Sequence, residues 1–171
     1  MIACVDVDYG AARVATACLG FTAWTDAESC HEAVAISPGG AADYTPGEFY
    51  QRELPYLIAV LQPMVGQRQL DAVIVDGYVW LGADRPGLGA HLAAQLDPAV
   101  PVIGVAKSAF RNAPAIAVTR GAGARPLYVT THGIDPAIAA RRVVEMHGAF
   151  RMPTLLKRVD QLARGLVRPR S

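Results

Sequence analysis

The chain is poor in several features that would place it in familiar classes. None of its apolar stretches reaches the roughly 18 uncharged residues of a membrane-spanning helix. The first residues enter a strand-like run with no basic leader segment ahead of it, so a cytoplasmic protein is expected. Only three cysteines are present, Cys4, Cys18 and Cys30, with no C-x-x-C pair. This argues against a disulfide framework or a zinc site, and the three read as reduced, buried residues. No G-x-x-x-x-G-K loop accompanies the glycines of Gly121-Ala122-Gly123-Ala124, and no Ser-His-Asp or Cys-His pattern offers a covalent nucleophile.

Charge of one sign is scarce in each part of the chain. Residues 1–100 hold four basic residues against twelve acidic ones, whereas residues 101–171 hold twelve basic and three acidic. A net charge of +1 therefore hides an acidic part and a basic part. Lys107, Arg111, Arg120, Arg125, Arg141, Arg142, Arg151, Lys157, Arg158, Arg164, Arg168 and Arg170 offer the basic part to a polyanion, although individual arginines also suit solvated helix faces.

What the acidic part contains is more telling. Asp6 lies in the apolar run Ile2-Ala3-Cys4-Val5-Asp6-Val7, and Asp76 ends Ala72-Val73-Ile74-Val75-Asp76. Glu53 sits between them in a segment of helical spacing. One Asp at a strand end ordinarily opens a turn or caps a helix. Two such strands with a Glu on the intervening helix match the few hard oxygen ligands that a magnesium ion takes from a protein.

The 171 residues suit one domain, residues 1–171, with 52% hydrophobic content to fill its core. Runs at 2–8, 13–20 and 32–36 predict three antiparallel strands. Apolar spacing from Gly47 to Leu61 predicts a helix ended by Pro63, followed by a strand at 71–76. A short helix from Leu88 to Leu96 and a buried strand from Val100 to Ala106 complete a parallel unit. Residues 115–119 and 127–130 predict a peripheral hairpin. Two helices close the chain, one opened by Asp135-Pro136 and one beginning near Pro153. This order predicts an α/β, ribonuclease H-like fold with a central mixed five-stranded sheet flanked by helices, in which Asp6 and Asp76 lie side by side.

Local motifs extend the comparison. Val5-Asp6-Val7, Tyr44-Thr45-Pro46-Gly47 followed by Arg52-Glu53, Val75-Asp76-Gly77, and Gly87 through His91 occur in that order. Pro101 to Lys107, Pro126-Leu127-Tyr128-Val129 ahead of His132, and Phe150-Arg151-Met152-Pro153 follow. In these segments the sequence resembles the endonuclease V family across nearly its whole length.

The resemblance implies a magnesium-dependent endonuclease, with manganese as a substitute, that cuts nucleic acid on the 3′ side of inosine, with DNA repair as its purpose. It implies a monomer acting on inosine-containing DNA, with RNA as an alternative. Asp6 and Asp76 would bind the metal, and Glu53 would complete the site directly or through water. Lys107 and His132 would flank the scissile phosphate. Tyr44, stiffened by Pro46, would act as a wedge in the gap left by a displaced base, and Gly47, Gly77 and Gly104 would let the backbone approach that base.

Departures from the family fall near this chemistry. Two family histidines after the Val-Asp-Gly segment are replaced by Tyr78 and Gly82, an arginine is missing after His132, and the helix preceding the first strand has no counterpart. His31, His91 and His147 carry no catalytic expectation. Two alternatives remain: a divergent nuclease on RNA or other damaged or structured strands, and a nucleic-acid-binding relative with impaired catalysis. Keeping Asp6, Glu53, Asp76 and Lys107 weighs against impairment, because buried carboxylates without a cation burden the fold.

Overall fold

The computed structural model describes residues 1–38, 49–65, 70–97, 99–166 and 168–169. Strands β1 (Ile2–Tyr9), β2 (Arg13–Phe21) and β3 (His31–Pro38) form an antiparallel meander. Helix α1 (Phe49–Val65) then crosses over to β4 (Ala72–Asp76), which pairs parallel to β1. A small ribbon of β5 (Trp80–Gly82) and β6 (Arg85–Pro86) precedes α2 (Leu88–Ala93), and β7 (Val102–Ala106) pairs parallel to β4. Strands β8 (Ile116–Val118) and β9 (Leu127–His132) lead to α3 (Pro136–Glu145) and α4 (Thr154–Ala163).

The main sheet has the order β3-β2-β1-β4-β7-β9-β8. The expected five strands are all there, and the expected hairpin is continuous with them. Residues 127–132 pair antiparallel to β7 on one side and to β8 on the other, which makes the sheet seven-stranded. The β5–β6 ribbon was not expected, because two short strands around Ala83-Asp84 resemble an ordinary loop in sequence.

Alternation along the strands divides the core between the two faces of the sheet. Ile2, Cys4, Ala72, Ile74, Ile103 and Val105 pack with the residues of α3 and α4. Ala3, Val5, Val73, Val75 and Val102 pack with α1 and α2. Side chains two apart share a face, so Asp6 follows Cys4, and Asp76 follows Ile74, onto the side covered by α4.

The helices form for recognisable reasons. Asp135 caps α3 by accepting the N–H groups of Ala137 and Ile138 at 2.9 and 3.0 Å, with Pro136 at the first turn. Helix α4 buries Leu155, Leu156, Val159, Leu162 and Ala163 along one stripe. Pro63 was expected to end α1, but the helix contains both Pro55 and Pro63 and continues to Val65. Each proline removes a single backbone bond, while Leu57, Val60, Leu61 and Met64 hold the helix onto the sheet. Helix α2 ends at Ala93, short of the expected Leu96.

All three cysteines are free, as expected, but only Cys4 and Cys18 are buried; Cys30 is exposed. Among the described residues no helix is long and apolar enough to cross a membrane.

Candidate active site

The carboxyl ends of β1 and β4 lie side by side, with Val5 opposite Val75, so the next residues bring Asp6 beside Asp76. Open α/β sheets place their ligands beyond this edge of the parallel strands. Helix α4 crosses the same face and adds Asp160. Carboxylate oxygens of Asp6, Asp76 and Asp160 all lie within 4.8 Å of one another. That spacing suits a hexacoordinate hard cation, whose opposite ligands are roughly 4–5 Å apart.

Asp160 was not anticipated. It is one of only three acidic residues after position 100, set among Lys157, Arg158 and Arg164. An isolated carboxylate in a basic helix, beside the buried stripe of Val159 and Leu162, was the available signal.

Glu53 reaches the site from α1, on the opposite face of the sheet. It is buried at 6% exposure and lines a cavity of about 280 Å³ together with Asp6, Asp8, Asp76, Asp160 and Arg164. It stands outside the mutually close set of three.

The electrostatics show how much negative charge is gathered here. Burial, and then the neighbouring Asp76, push Asp6 up to about 7, against a smaller opposing effect of the Val7 N–H that its carboxylate accepts at 2.9 Å. Burial and the charges of Asp6 and Asp76 push Glu53 up to about 8. Groups that hold protons near neutrality when no cation is bound are well suited to exchange them for one.

Lys107 follows β7 and donates to Asp76 Oδ2 at 2.7 Å, with Asp160 Oδ1 at 3.9 Å. Partial burial alone would lower its ammonium group. The hydrogen bond to Asp76 and the charges of Asp76, Asp160 and Asp6 outweigh burial and raise it. Arg164, at the end of α4, forms an ion pair with Asp160 Oδ1 at 3.0 Å. Arg151 holds the turn from behind, donating to the Lys107 carbonyl and, at 2.6 Å, to that of Pro126.

The structure does not bring His132 to this cluster. Antiparallel pairing sets His132 opposite Val102 at the start of β7, whereas Lys107 follows the other end of that strand. Four residue steps, about 13 Å, separate Val102 from Ala106. His132 lies beside the Trp80 ring instead, at 6.3 Å between centroids.

The glycines also divide. Gly77 has φ +132° and open space where a Cβ would stand, so backbone conformation is what selects glycine there. It lines a second cavity, of about 340 Å³, that also touches Asp76. Gly104 does not line that cavity. A Cβ on it would meet the Gly77 carbonyl at 2.6 Å and Val79 N at 2.8 Å, so it seats the 77–79 segment rather than approaching a ligand. Thr130 completes that seat by accepting the Val79 N–H at 2.8 Å. Tyr44, Pro46 and Gly47 lie outside the described residues. His91 stacks on Tyr50 at 3.5 Å between ring centroids.

A ribonuclease H-like sheet with carboxylates converging at the carboxyl edge of its parallel strands defines the class of this domain. A family model described as Endonuclease V matches residues 1–120, and the chain belongs to the endonuclease V family. It is similar to the Endonuclease V of Rhodospirillum centenum, 34% identical over 145 residues, which covers 70% of this chain and 58% of that protein. A similar relative in Streptomyces coelicolor is 29% identical over 146 residues, covering 73% of this chain and 61% of its own length. The chain thus spans about 60% of the length of these curated relatives. The fold also matches Endonuclease V of Ciona intestinalis, solved with a 23mer DNA containing an inosine. The TM-score is 0.82 at 16% identity, covering 96% of this chain and 84% of that one.

Proposed function

We propose that this protein is a metal-dependent endonuclease that hydrolyses the phosphodiester bond 3′ to inosine in nucleic acid, with DNA repair as its purpose. The observation that carries the reading is the convergence of Asp6, Asp76 and Asp160 beside a cavity that shares Asp76. One arrangement thereby offers a cation site next to a pocket of the size a planar base needs. The Ciona relative bound to inosine-containing DNA supports the same substrate.

Asp6, Asp76 and Asp160 would hold the cation, with Glu53 behind them acting directly or through water. All the donors are carboxylate oxygens, which fits magnesium, with manganese as a substitute. When bound, such an ion polarises a phosphoryl oxygen and lowers the pKa of a bound water. Lys107 would offset the charge that develops on the phosphate. With His132 at the far end of β7, Lys107 and Arg164 are, among the described residues, cationic groups paired with the carboxylate cluster and in position for the phosphate. Tyr44, stiffened by Pro46, remains the proposed wedge, and Gly47 and Gly77 the backbone approach to the displaced base. Both hydrophobic clusters pack on one sheet, which supports a single domain over 1–171, taken here to act as a cytoplasmic monomer.

Cleavage of single-stranded DNA and RNA oligonucleotides, with and without one inosine, tests the reading in magnesium and in manganese. Cutting on the 3′ side of inosine by the wild type, absent in Asp76→Asn, is the expected result. Equal cutting by both proteins would remove the carboxylates from the chemistry. Cutting of RNA but not DNA would reassign the substrate.

A further inference from the structure

The cavity of about 340 Å³ next to Asp76 has flat, largely apolar walls and a single cation among its described lining residues, Arg85. Tyr50, Pro86 and Phe110 supply surfaces against which a planar ring can lie. The guanidinium of Arg85 sits 5.7 Å from the centre of the Phe110 ring. Among the described residues Arg85 makes no ion pair, so its planar fork of donors is not committed to a carboxylate.

Both sides of this wall are fixed by hydrogen bonds. The Tyr78 hydroxyl donates to the Ser108 carbonyl at 2.7 Å and accepts the Phe110 N–H at 2.9 Å, which fastens the 108–110 backbone over the cavity. Across from it, the Gly87 N–H donates to the Val79 carbonyl at 2.8 Å and ties the end of the Arg85–Pro86 strand to the segment leaving β4. Tyr78 replaces a histidine of the family pattern. In this chain its hydroxyl bridges two backbone groups and so builds the wall that carries Phe110.

We propose that Arg85 is a specificity-determining residue that reads the O6/N7 edge of a 6-oxopurine seated in this cavity. A guanidinium fork pairs with two adjacent in-plane acceptors. Hypoxanthine presents O6 and N7 side by side, as guanine does. Adenine replaces O6 with an amino donor that opposes the fork, and pyrimidines lack N7. Phe110 restrains the guanidinium through its ring face, and Tyr78 restrains Phe110. The proposal deepens the nuclease reading above and rests on it. It assigns recognition of the 6-oxopurine edge, against adenine and pyrimidines, to a side chain; guanine presents the same edge and is told from hypoxanthine elsewhere.

The test uses single-stranded oligonucleotides carrying one hypoxanthine, one 7-deazahypoxanthine or one adenine at the same position. Wild type is compared with Arg85→Met, which keeps the aliphatic stem against Phe110 and removes the fork. Cleavage efficiency in magnesium and binding anisotropy in magnesium-free buffer are both read, with thermal midpoints as a folding control. Wild type is expected to favour hypoxanthine over its 7-deaza analogue by about tenfold or more, the scale of a bidentate contact. Arg85→Met is expected to treat the two alike at an unchanged midpoint. A variant that keeps the full preference overturns the assignment. A wild type that favours hypoxanthine over adenine but ignores loss of N7 overturns it while leaving the inosine nuclease reading standing. A wild type that cuts none of the strands and binds all three alike defeats both.

Discussion

Lys107 occupies the carboxylate oxygen that a cation would want: its Nζ lies 2.7 Å from Asp76 Oδ2. An ammonium there partly neutralises three converging aspartates, so it stabilises the cluster and competes with the metal. The two roles separate on substitution. Lys107→Met is expected to bind manganese more tightly than wild type, because a positive charge and a competing donor are removed. Turnover is expected to fall by about 100- to 1000-fold, the range for losing one donor to developing charge. Calorimetric titration with manganese and single-turnover cleavage measure the two effects. Weaker manganese binding in the variant would mean that Lys107 orders the carboxylates rather than competing for them.

Asp160 is expected to matter as much as the two strand aspartates. Asp160→Asn keeps the shape and the packing of α4 but withdraws a hard anionic ligand. Cleavage is expected to drop by about a hundredfold or more, which is about 2.7 kcal/mol or more of transition-state stabilisation. Half-saturation by magnesium should move to higher concentration. An Asp160→Asn enzyme with wild-type metal dependence would leave Asp6, Asp76 and Glu53 as the ligand set.

The contrast between Asp160 and the strand aspartates shows what a linear sequence displays. Asp6 and Asp76 were legible because the one lies within an apolar strand run and the other ends one, where a carboxylate is unfavourable unless it is compensated. Their adjacency followed from a parallel pair joined through a crossover helix. Asp160 joins them only because α4 packs on the face to which even-numbered positions of β1 and β4 point, and that requires the tertiary arrangement. His132 failed for a related reason. Its motif lies near Tyr128-Val129 in sequence, but antiparallel pairing carries the end of β9 away from Lys107. Gly104 was expected to face a ligand, whereas its missing side chain makes room for the Gly77 carbonyl.

Stability should depend on pH in the direction opposite to that of an ordinary paired carboxylate. Asp6 and Glu53 titrate near 7 and 8 in the fold. In the unfolded chain such groups titrate near about 4. Between these values the folded chain holds protons that the unfolded chain has released, so stability declines as pH rises through that window. The metal-free melting temperature is therefore expected to be higher at pH 5 than at pH 8. Magnesium should raise it more at pH 8, where the carboxylates are available. Scanning calorimetry in chelator and in magnesium checks both statements. A metal-free midpoint that rises from pH 5 to pH 8 would contradict the crowding of Asp6 and Glu53.

The helix that delivers Asp160 is fastened to the far strand of the sheet by an ion pair two residues earlier. Arg158 donates to both oxygens of Glu32, at 2.6 and 2.7 Å, and the Glu32 side chain is only 2% exposed. Glu32 also accepts the Ser29 hydroxyl at 2.5 Å, so removing the guanidinium withdraws its charged partner and costs at most about 3–5 kcal/mol. Arg158→Met is therefore expected to lower the urea midpoint by that scale. The double variant Arg158→Met with Glu32→Gln should recover part of the loss, because the buried anion is removed together with its guanidinium partner. If the pair also aligns α4, magnesium half-saturation in Arg158→Met should shift to higher concentration, although Arg158 does not line the cavity of Asp6 and Asp160. Loss of stability with unchanged magnesium dependence would confine the pair to holding the fold.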